Sequence, residues 1–427
     1  MTKVATSIAE VVATDLCVGC GLCEAVTGGR LKMTMTAAGS LRPTPLIPLS
    51  DAMSDNEERV LLAACPGVVA QARDDPDRSP AELDPIWGSY RSMSMAWAAE
   101  PDVRFRAATG GVLTALGRHL LDAGKVSFVL HVGPIPDSPT RNRWVISETA
   151  DDVLANTGSR YSPAAPLAGL MAALDRGQRF AIIAKPCDLG AVHAYAATDP
   201  RVDELCVARL AMVCGGQSRL TKTLGLLDRW GLVEDDVSLI RYRGHGNPGP
   251  TRVESNDGQA HEVTYLELWE DASTWEIETR CKLCPDALGE CADVAAADAW
   301  PGGAPIGEDE GFNAIVVRTT AGQSLVDEAV MAGKLVVDEP VTARQLDDFQ
   351  PHQVRKKEAL AARYAGLLEA GVAPINAPEL RLQSLGQRLT PAEARREREG
   401  AKRRMEAVLR VHDRLPGSRG SADPGPS

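Results

Sequence analysis

Aromatic side chains are scarce in this chain: phenylalanine, tyrosine and tryptophan together make up 4% of its 427 residues. Long apolar runs are missing too. The longest, residues 60–70, is 11 residues and contains Pro66; a membrane-spanning helix needs roughly 18. Basic charge is also short, with 46 Lys and Arg against 58 Asp and Glu and a net charge of −12. Nucleic acids and anionic membranes demand a basic footprint, so neither is an expected partner, and no membrane insertion is expected. The first residues hold Lys3, Glu10 and Asp15 but no apolar signal-peptide core, which sets the expectation of a soluble cytoplasmic protein.

Ten cysteines stand out against this background. In a reducing compartment, clustered cysteines serve metal binding or redox chemistry more often than disulfides. A chain of this length suggests about three domains. Residues 1–80 read as a small unit carrying the first cysteine group, a strand over residues 31–35 and a helix over 56–64. The charged, proline-bearing stretch 74–80 reads as its linker. Residues 81–345 alternate helix and strand signals, the pattern of an α/β domain. There, Thr109-Gly110-Gly111 opens a helix that Gly124 stops, and strands are expected near residues 127–132, 180–184, 210–213 and 314–317. Ser162-Pro163 reads as a helix start, with Leu167, Leu170, Met171 and Leu174 on one face. Residues 241–250 and 300–311 read as long ordered loops. Residues 346–427 read as a charged helical extension, its main helix opened by the capping box Thr390-Pro391-Ala392-Glu393, with a disordered tail from Pro416.

The strongest chemical signal is Cys17-Val18-Gly19-Cys20-Gly21-Leu22-Cys23. Two-residue spacings let three thiolates wrap one iron–sulfur cube from a single loop, and the glycines permit the tight turns. The fourth thiolate in ferredoxins comes from a distant Cys-Pro, which Cys65-Pro66 supplies here. Structural zinc also accepts four cysteines but favours paired spacing. Cys281-Lys282-Leu283-Cys284 forms a second metal-type pair. Cys187 and Cys214 follow predicted strands, where open α/β folds place their ligands, and would complete a second set. Cys291 is the rival ligand, and Cys187 has a rival role as a redox thiolate at a helix start. Cys206 reads as a buried small hydrophobe.

Backbone N–H groups at the start of the Thr109, Gly110, Gly111, Val112 helix could cradle a phosphate. Gly158, Ser159, Arg160 and Tyr161 add a positive charge and a ring. Lys185 and Asp188, flanking Cys187, and His245, inside a glycine-rich loop, are candidate catalytic groups. Lys185 is also a candidate cofactor contact. Asp188 has a plainer reading as a favourable charge at a helix N-terminus.

Taken in order, these motifs resemble the family of coenzyme F(420) hydrogenase and dehydrogenase beta subunits, whose relatives include 7-hydroxymethyl chlorophyll a reductase and divinyl chlorophyllide reductase. The resemblance rests on the cysteine motif at 17–23, the Thr-Gly-Gly helix start and Gly158-Ser159-Arg160-Tyr161. It rests also on Lys185-Pro186-Cys187-Asp188, the Tyr242–Gly249 loop, and the Cys281–Asp286 and Ala292–Val294 segments. It covers about residues 10–370. It implies a mixed α/β (α+β) architecture with a ferredoxin-like iron–sulfur unit at the N-terminus and a central FAD-binding domain. The implied cofactors are FAD and one or two [4Fe-4S] clusters, two on the cysteine count above.

The expected function is a flavin- and iron–sulfur-dependent oxidoreductase. It would pass electrons between a one-electron carrier, a ferredoxin-like or other redox protein, and a two-electron small molecule or deazaflavin. Two alternatives stand beside it: an electron-transfer subunit of a larger complex, and a zinc-stabilised binding protein without redox chemistry. Either redox reading is compatible with a homo-oligomer or with membership of a complex. Substrate, electron donor and direction are not written in the motifs.

Overall fold

The computed structural model describes residues 4–73, 83–270 and 276–412. The linker expected at 74–80 and the tail from Pro416 lie outside the described residues.

An eight-stranded mixed sheet organises the molecule. Its strands are β1 (Ser92–Ala98), β2 (Phe128–Ile135), β3 (Ser138–Ser147), β4 (Phe180–Ala184), β5 (Cys206–Met212), β6 (Val294–Asp298), β7 (Asn313–Val317) and β8 (Leu335–Pro340). They lie in the order β8-β1-β7-β6-β5-β4-β2-β3. The inner four, β6, β5, β4 and β2, run parallel, and antiparallel strands flank them on both sides. Successive strand residues face opposite sides, so one sheet feeds two cores. Phe128, Leu130, Phe180 and Ile182 enter the core on one face, while Val129, Ala181 and Leu210 enter the other. Phe128 pairs with Phe180 in register, and their rings stack at 5.2 Å.

The strands expected near 127–132, 180–184, 210–213 and 314–317 are therefore present, as are the helices Asp55–Ala64, Val112–Asp122 and Pro391–His412. The helix expected from Ser162 is not. Residues 162–165 are irregular, and a 3-10 turn at Pro166–Gly169 leads into a helix only at Leu170–Asp175. The Ser162 hydroxyl is committed instead to Tyr242 Oη at 2.7 Å and Thr223 Oγ1 at 3.1 Å. A tertiary contact has taken the group that a cap would have used.

The N-terminal unit is built into the sheet domain. Arg42, on the hairpin of Leu31–Met35 and Leu41–Pro45, donates to Asp15 at 2.5 Å and to the fully buried Glu278 at 2.7 Å. Leu167 N donates to the Cys20 carbonyl at 2.9 Å. The C-terminal helices close the other side: Pro351–Glu369 packs along Pro391–His412 through Leu360, Leu367, Ala401 and Met405. No helix among the described residues is long and apolar enough to cross a membrane.

Buried His131 on β2 shares a 2.7 Å hydrogen bond with Ser147, and burial lowers its pKa to about 4. Unfolded histidine titrates near 6.5. Between these values the unfolded chain binds the extra proton, so stability should fall as pH drops from about 6.5 to about 4. The loss is at most about 3 kcal/mol. Denaturant melts across that range check the slope, which His131→Gln should flatten.

Candidate redox site

The parallel strands end along one edge of the sheet, and the candidate chemistry gathers there. After β4 the chain turns through Lys185 into the helix Pro186–Tyr195, carrying Cys187 and Asp188 in its first turn. After β5 it reaches Cys214, whose N–H donates to the Ala287 carbonyl at 2.9 Å. The short helix Thr279–Lys282 brings Cys281, and Cys284 follows. Cys187, Cys214, Cys281 and Cys284 line one small cavity with Lys185 and Lys356. Sequence reasoning names this quartet from strand ends and spacing, and the fold brings the four together. Burial and then Cys214 push the Cys281 thiol up to about 12. Burial and then Asp188 also raise the Cys187 thiol, which does not favour its rival role as a free thiolate. Gln217 N–H donates to Cys281 Sγ at 3.4 Å. Cys291 does not line the cavity. It is fully buried in the sheet core, its thiol donating to the Pro186 carbonyl at 3.3 Å. Cys206 is likewise buried in that core.

The other cysteine group closes on itself. Gly19 (φ +71°) and Gly21 (φ +92°) adopt left-handed backbone, and there is no room for side chains. A Cβ at Gly21 would stand 2.6 Å from Ala168 N, and one at Gly19 would stand 2.8 Å from the Leu41 carbonyl oxygen. The loop therefore winds tightly around Cys17, Cys20 and Cys23, and Gly19 N–H donates to Cys17 Sγ at 3.4 Å. Cys65, following the helix Asp55–Ala64, completes the group. Burial, then Asp188, then Cys65 raise the Cys20 thiol. Burial, then Cys65, then Cys20 raise Cys23. Burial and Cys17 carry Cys65 up to about 12. Thiols that raise one another in this way are poor thiolates until a cation joins them. No three His, Cys, Asp or Glu side chains among the described residues meet the geometry of a single bound metal ion. A four-iron core spaces its thiolates more widely than one ion does.

Two buried charges sit between the cysteine groups. Asp188, 0% exposed, pairs with Lys185 at 2.7 Å and acts on both Cys20 and Cys187. Arg280, 1% exposed, donates through Nε and Nη2 to the Pro66 carbonyl at 3.0 and 2.8 Å. That carbonyl follows Cys65, while Arg280 itself precedes Cys281 and lines the second cavity.

The phosphate-type motifs meet further along the same edge. Thr109 (φ +57°) hydrogen-bonds Asp298 at the end of β6, and Arg243 joins them, 3.0 Å from Thr109 Oγ1 and 3.1 Å from Asp298. Thr114, in the first turn of Val112–Asp122, touches Thr157 hydroxyl to hydroxyl at 2.7 Å. The Gly110-Gly111 and Gly158-Ser159 segments are thereby neighbours. Asn313 Oδ1 already accepts the Val112 N–H at 3.4 Å, so the helix start is only partly free. Arg160 points elsewhere. Its guanidinium donates to Asn142 at 2.7 Å, to the Ile240 carbonyl at 3.2 Å and to the Pro139 carbonyl. Where the sequence suggests an anion contact for Arg160, the fold gives it a half-buried clamp between β3 and the 237–241 strand.

Five aromatic side chains collect here. Tyr161 meets Trp269 edge-on at 4.7 Å and Tyr242 at 5.4 Å, and Tyr265 meets Trp300 at 5.1 Å. Arg243 lies over Trp300 at 4.8 Å and over Tyr265 at 5.2 Å. Trp300 Nε1 and Arg243 Nε are buried without a hydrogen-bond partner among the described residues. Such orphaned donors invite a polar ligand.

The three catalytic candidates do not form one constellation. Lys185 and Asp188 flank the second cysteine cavity, whereas His245 (φ +59°) is exposed and lies against Phe105 at 5.3 Å. Sequence reasoning misses the start of the Pro351–Glu369 helix, which it assigns to the extension. Gln350 donates to the Asp298 carbonyl at 2.8 Å, Gln353 to the Cys214 carbonyl at 2.8 Å, and Lys356 lines the cysteine cavity. Pro351 after Gln350 could have marked that start, but nothing in the pattern points it at the site.

Residues 93–172 match the model described as "Coenzyme F420 hydrogenase/dehydrogenase, beta subunit N-term", and residues 177–343 match its C-terminal counterpart, together more than half of the chain. The chain belongs to this family of beta subunits. One subunit of the F(420)H(2) dehydrogenase of Methanosarcina mazei is 23% identical over 75% of this chain and 84% of its own length. The coenzyme F420 hydrogenase subunit beta of Methanothermobacter thermautotrophicus is 22% identical over 58% of this chain and 84% of its own. The coenzyme F420-dependent sulfite reductase of Methanocaldococcus jannaschii is 23% identical over 51% of this chain, which spans 34% of that protein. A chain of the F420-reducing [NiFe] hydrogenase complex from Methanosarcina barkeri shares the fold, with TM-score 0.53, 18% identity, and coverage of 69% of this chain and 98% of that one. The mixed α/β fold of this chain is thus similar to that of the hydrogenase chain.

Proposed function

We propose that this family member is a flavin- and iron–sulfur-dependent oxidoreductase that converts single electrons into two-electron chemistry. The observation that carries this reading is the disposition of eight cysteines as two quartets, with Arg280 and Asp188 between them. Cys17, Cys20, Cys23 and Cys65 would hold one [4Fe-4S] cluster, and Cys187, Cys214, Cys281 and Cys284 a second. The chemistry of all-thiolate donor sets fits such clusters.

FAD would lie along the Thr109–Val112 helix start and the Gly158–Tyr161 loop. The aromatic group and the orphaned donors of Trp300 and Arg243 support that placement. Bound there, a flavin supplies the exchange of a hydride for two single electrons. Thr109, held by Asp298 and Arg243, would fix the helix start, and the Lys185–Asp188 pair would keep charge balanced beside the second cluster. The two-electron substrate would be a small molecule of the deazaflavin type, as the relatives' names suggest.

The relatives named as subunits support a further reading in which this chain works within a larger hydrogenase- or dehydrogenase-type complex. Anaerobic purification with iron, sulfide and flavin quantified tests the proposal, and co-purifying subunits test the complex. A colourless, zinc-bearing protein would sink the redox reading. Trp300→Leu should lower flavin retention at least several-fold while leaving iron unchanged, and full flavin occupancy would count against the site.

A further inference from the structure

The charged C-terminal helix takes no part in the site described above. Its apolar stripe, Ala401, Met405, Val408 and Leu409, is used against the Pro351–Glu369 helix and its surroundings. The remaining face is basic: residues 391–412 carry seven Lys and Arg against four Glu, within a chain of net charge −12. Beside this helix, an open cleft separates it from the segment that carries Cys281. Ile277, Leu283, Leu367, Met405 and Val408 give it apolar walls. Arg219, Lys282 and Arg404 give it positive charge, with Glu276 the single acid among its lining residues.

Arg219 is neutralised by Asp15 at 2.8 Å. Lys282 and Arg404 form no ion pair among the described residues, and both line the cleft. Lys282 is the residue after Cys281, and Leu283 lies between Cys281 and Cys284. A group seated in the cleft is therefore one loop away from the second cysteine quartet.

We propose that this cleft is the docking surface for an acidic one-electron carrier protein. The proposal rests on the cluster reading above. An apolar floor within a cationic rim is the anatomy of a protein interface; a pocket for a small anion would surround it with enclosed donors. Unneutralised cations on an otherwise acidic protein select an acidic partner and steer its approach. The transfer balances simply: the carrier is oxidised by one electron, the cluster at Cys281 is reduced by one electron, and no proton moves and no bond breaks.

Anaerobic stopped-flow mixing of the full chain with a reduced two-cluster ferredoxin tests this, with reduced methyl viologen as a donor that needs no docking. Cluster reduction by ferredoxin should slow steeply with salt, and about tenfold in Arg404→Glu or Lys282→Gln. Arg404→Lys should restore the rate. Methyl viologen should reduce wild type and variants equally. Unchanged ferredoxin rates in the charge variants would overturn the surface, as would equal slowing with both donors. Inorganic phosphate binding that Arg404→Glu abolishes without touching the ferredoxin rate would reassign the cleft to small anions. A chain purified without iron would instead sink the cluster reading, and the docking surface with it.

Discussion

Replacing Cys214 by alanine should leave the purified protein with about four of about eight iron atoms, because the second quartet then lacks one corner. The half that remains should be the cluster of Cys17, Cys20, Cys23 and Cys65, visible as a single magnetic resonance signal on reduction. Cys291→Ala is the matched control. Its thiol sits in the sheet core against Pro186, away from the cavity, so iron should be unchanged. That variant should lose only about 1 kcal/mol of stability, the cost of a small core deletion. If Cys291→Ala lost the iron and Cys214→Ala kept it, the ligand assignment would be reversed. Flavin retention should be unchanged in both variants, since neither cysteine is part of the Thr109–Asp298 network.

Much of this organisation was legible because it rests on short-range chemistry. The tripled cysteine spacing and the left-handed glycines at 19 and 21 mark a tight loop in one short stretch, although the walls that close on it, Leu41 and Ala168, are remote. The parallel core strands announce themselves as brief apolar runs ending at Lys185 and Cys214. What could not be read depended on contacts remote in sequence. Ser162 looks like a helix cap until Tyr242 and Thr223, 80 and 61 residues away, claim its hydroxyl. Arg160 beside Gly158 looks free for an anion until Asn142 and two backbone carbonyls take its donors. Gln350 and Gln353 look like ordinary helix residues until the fold lays them on Asp298 and Cys214. His245 is a candidate from its glycine-rich loop alone, and nothing in that local pattern shows that the fold exposes it against Phe105 and leaves Lys185 and Asp188 paired with each other.

The buried cation between the quartets carries the second large effect. Arg280 is 1% exposed, and its guanidinium hydrogen-bonds one neutral carbonyl, that of Pro66. A guanidinium in such a place is costly unless negative charge surrounds it. The groups that favour its charged form, largest first, are Cys284 and Cys187, with Tyr364 and Cys281 behind. In the cluster-loaded protein those cysteines would be thiolates, so Arg280 would balance the second cluster while its donors hold the backbone next to Cys65. Arg280→Met should therefore lower the reduction potential of the second cluster, since reduction adds an electron where a positive charge has gone. At an effective dielectric constant near 20 and a separation of several ångström, the shift is on the order of 100 mV. The first cluster should move less, because Arg280 reaches its ligand Cys65 only as a weaker influence. Stability should fall by about 2–3 kcal/mol as the Pro66 carbonyl loses both charged donors. Arg280→Lys keeps the charge and only part of the geometry, so it should restore most of the potential and little of the stability. Redox titration followed by magnetic resonance, alongside denaturant melts, reads both quantities. Equal potentials in wild type and Arg280→Met would mean that the cation serves the backbone at Pro66 alone, and that charge at the second quartet is balanced by Lys185 and Lys356 instead.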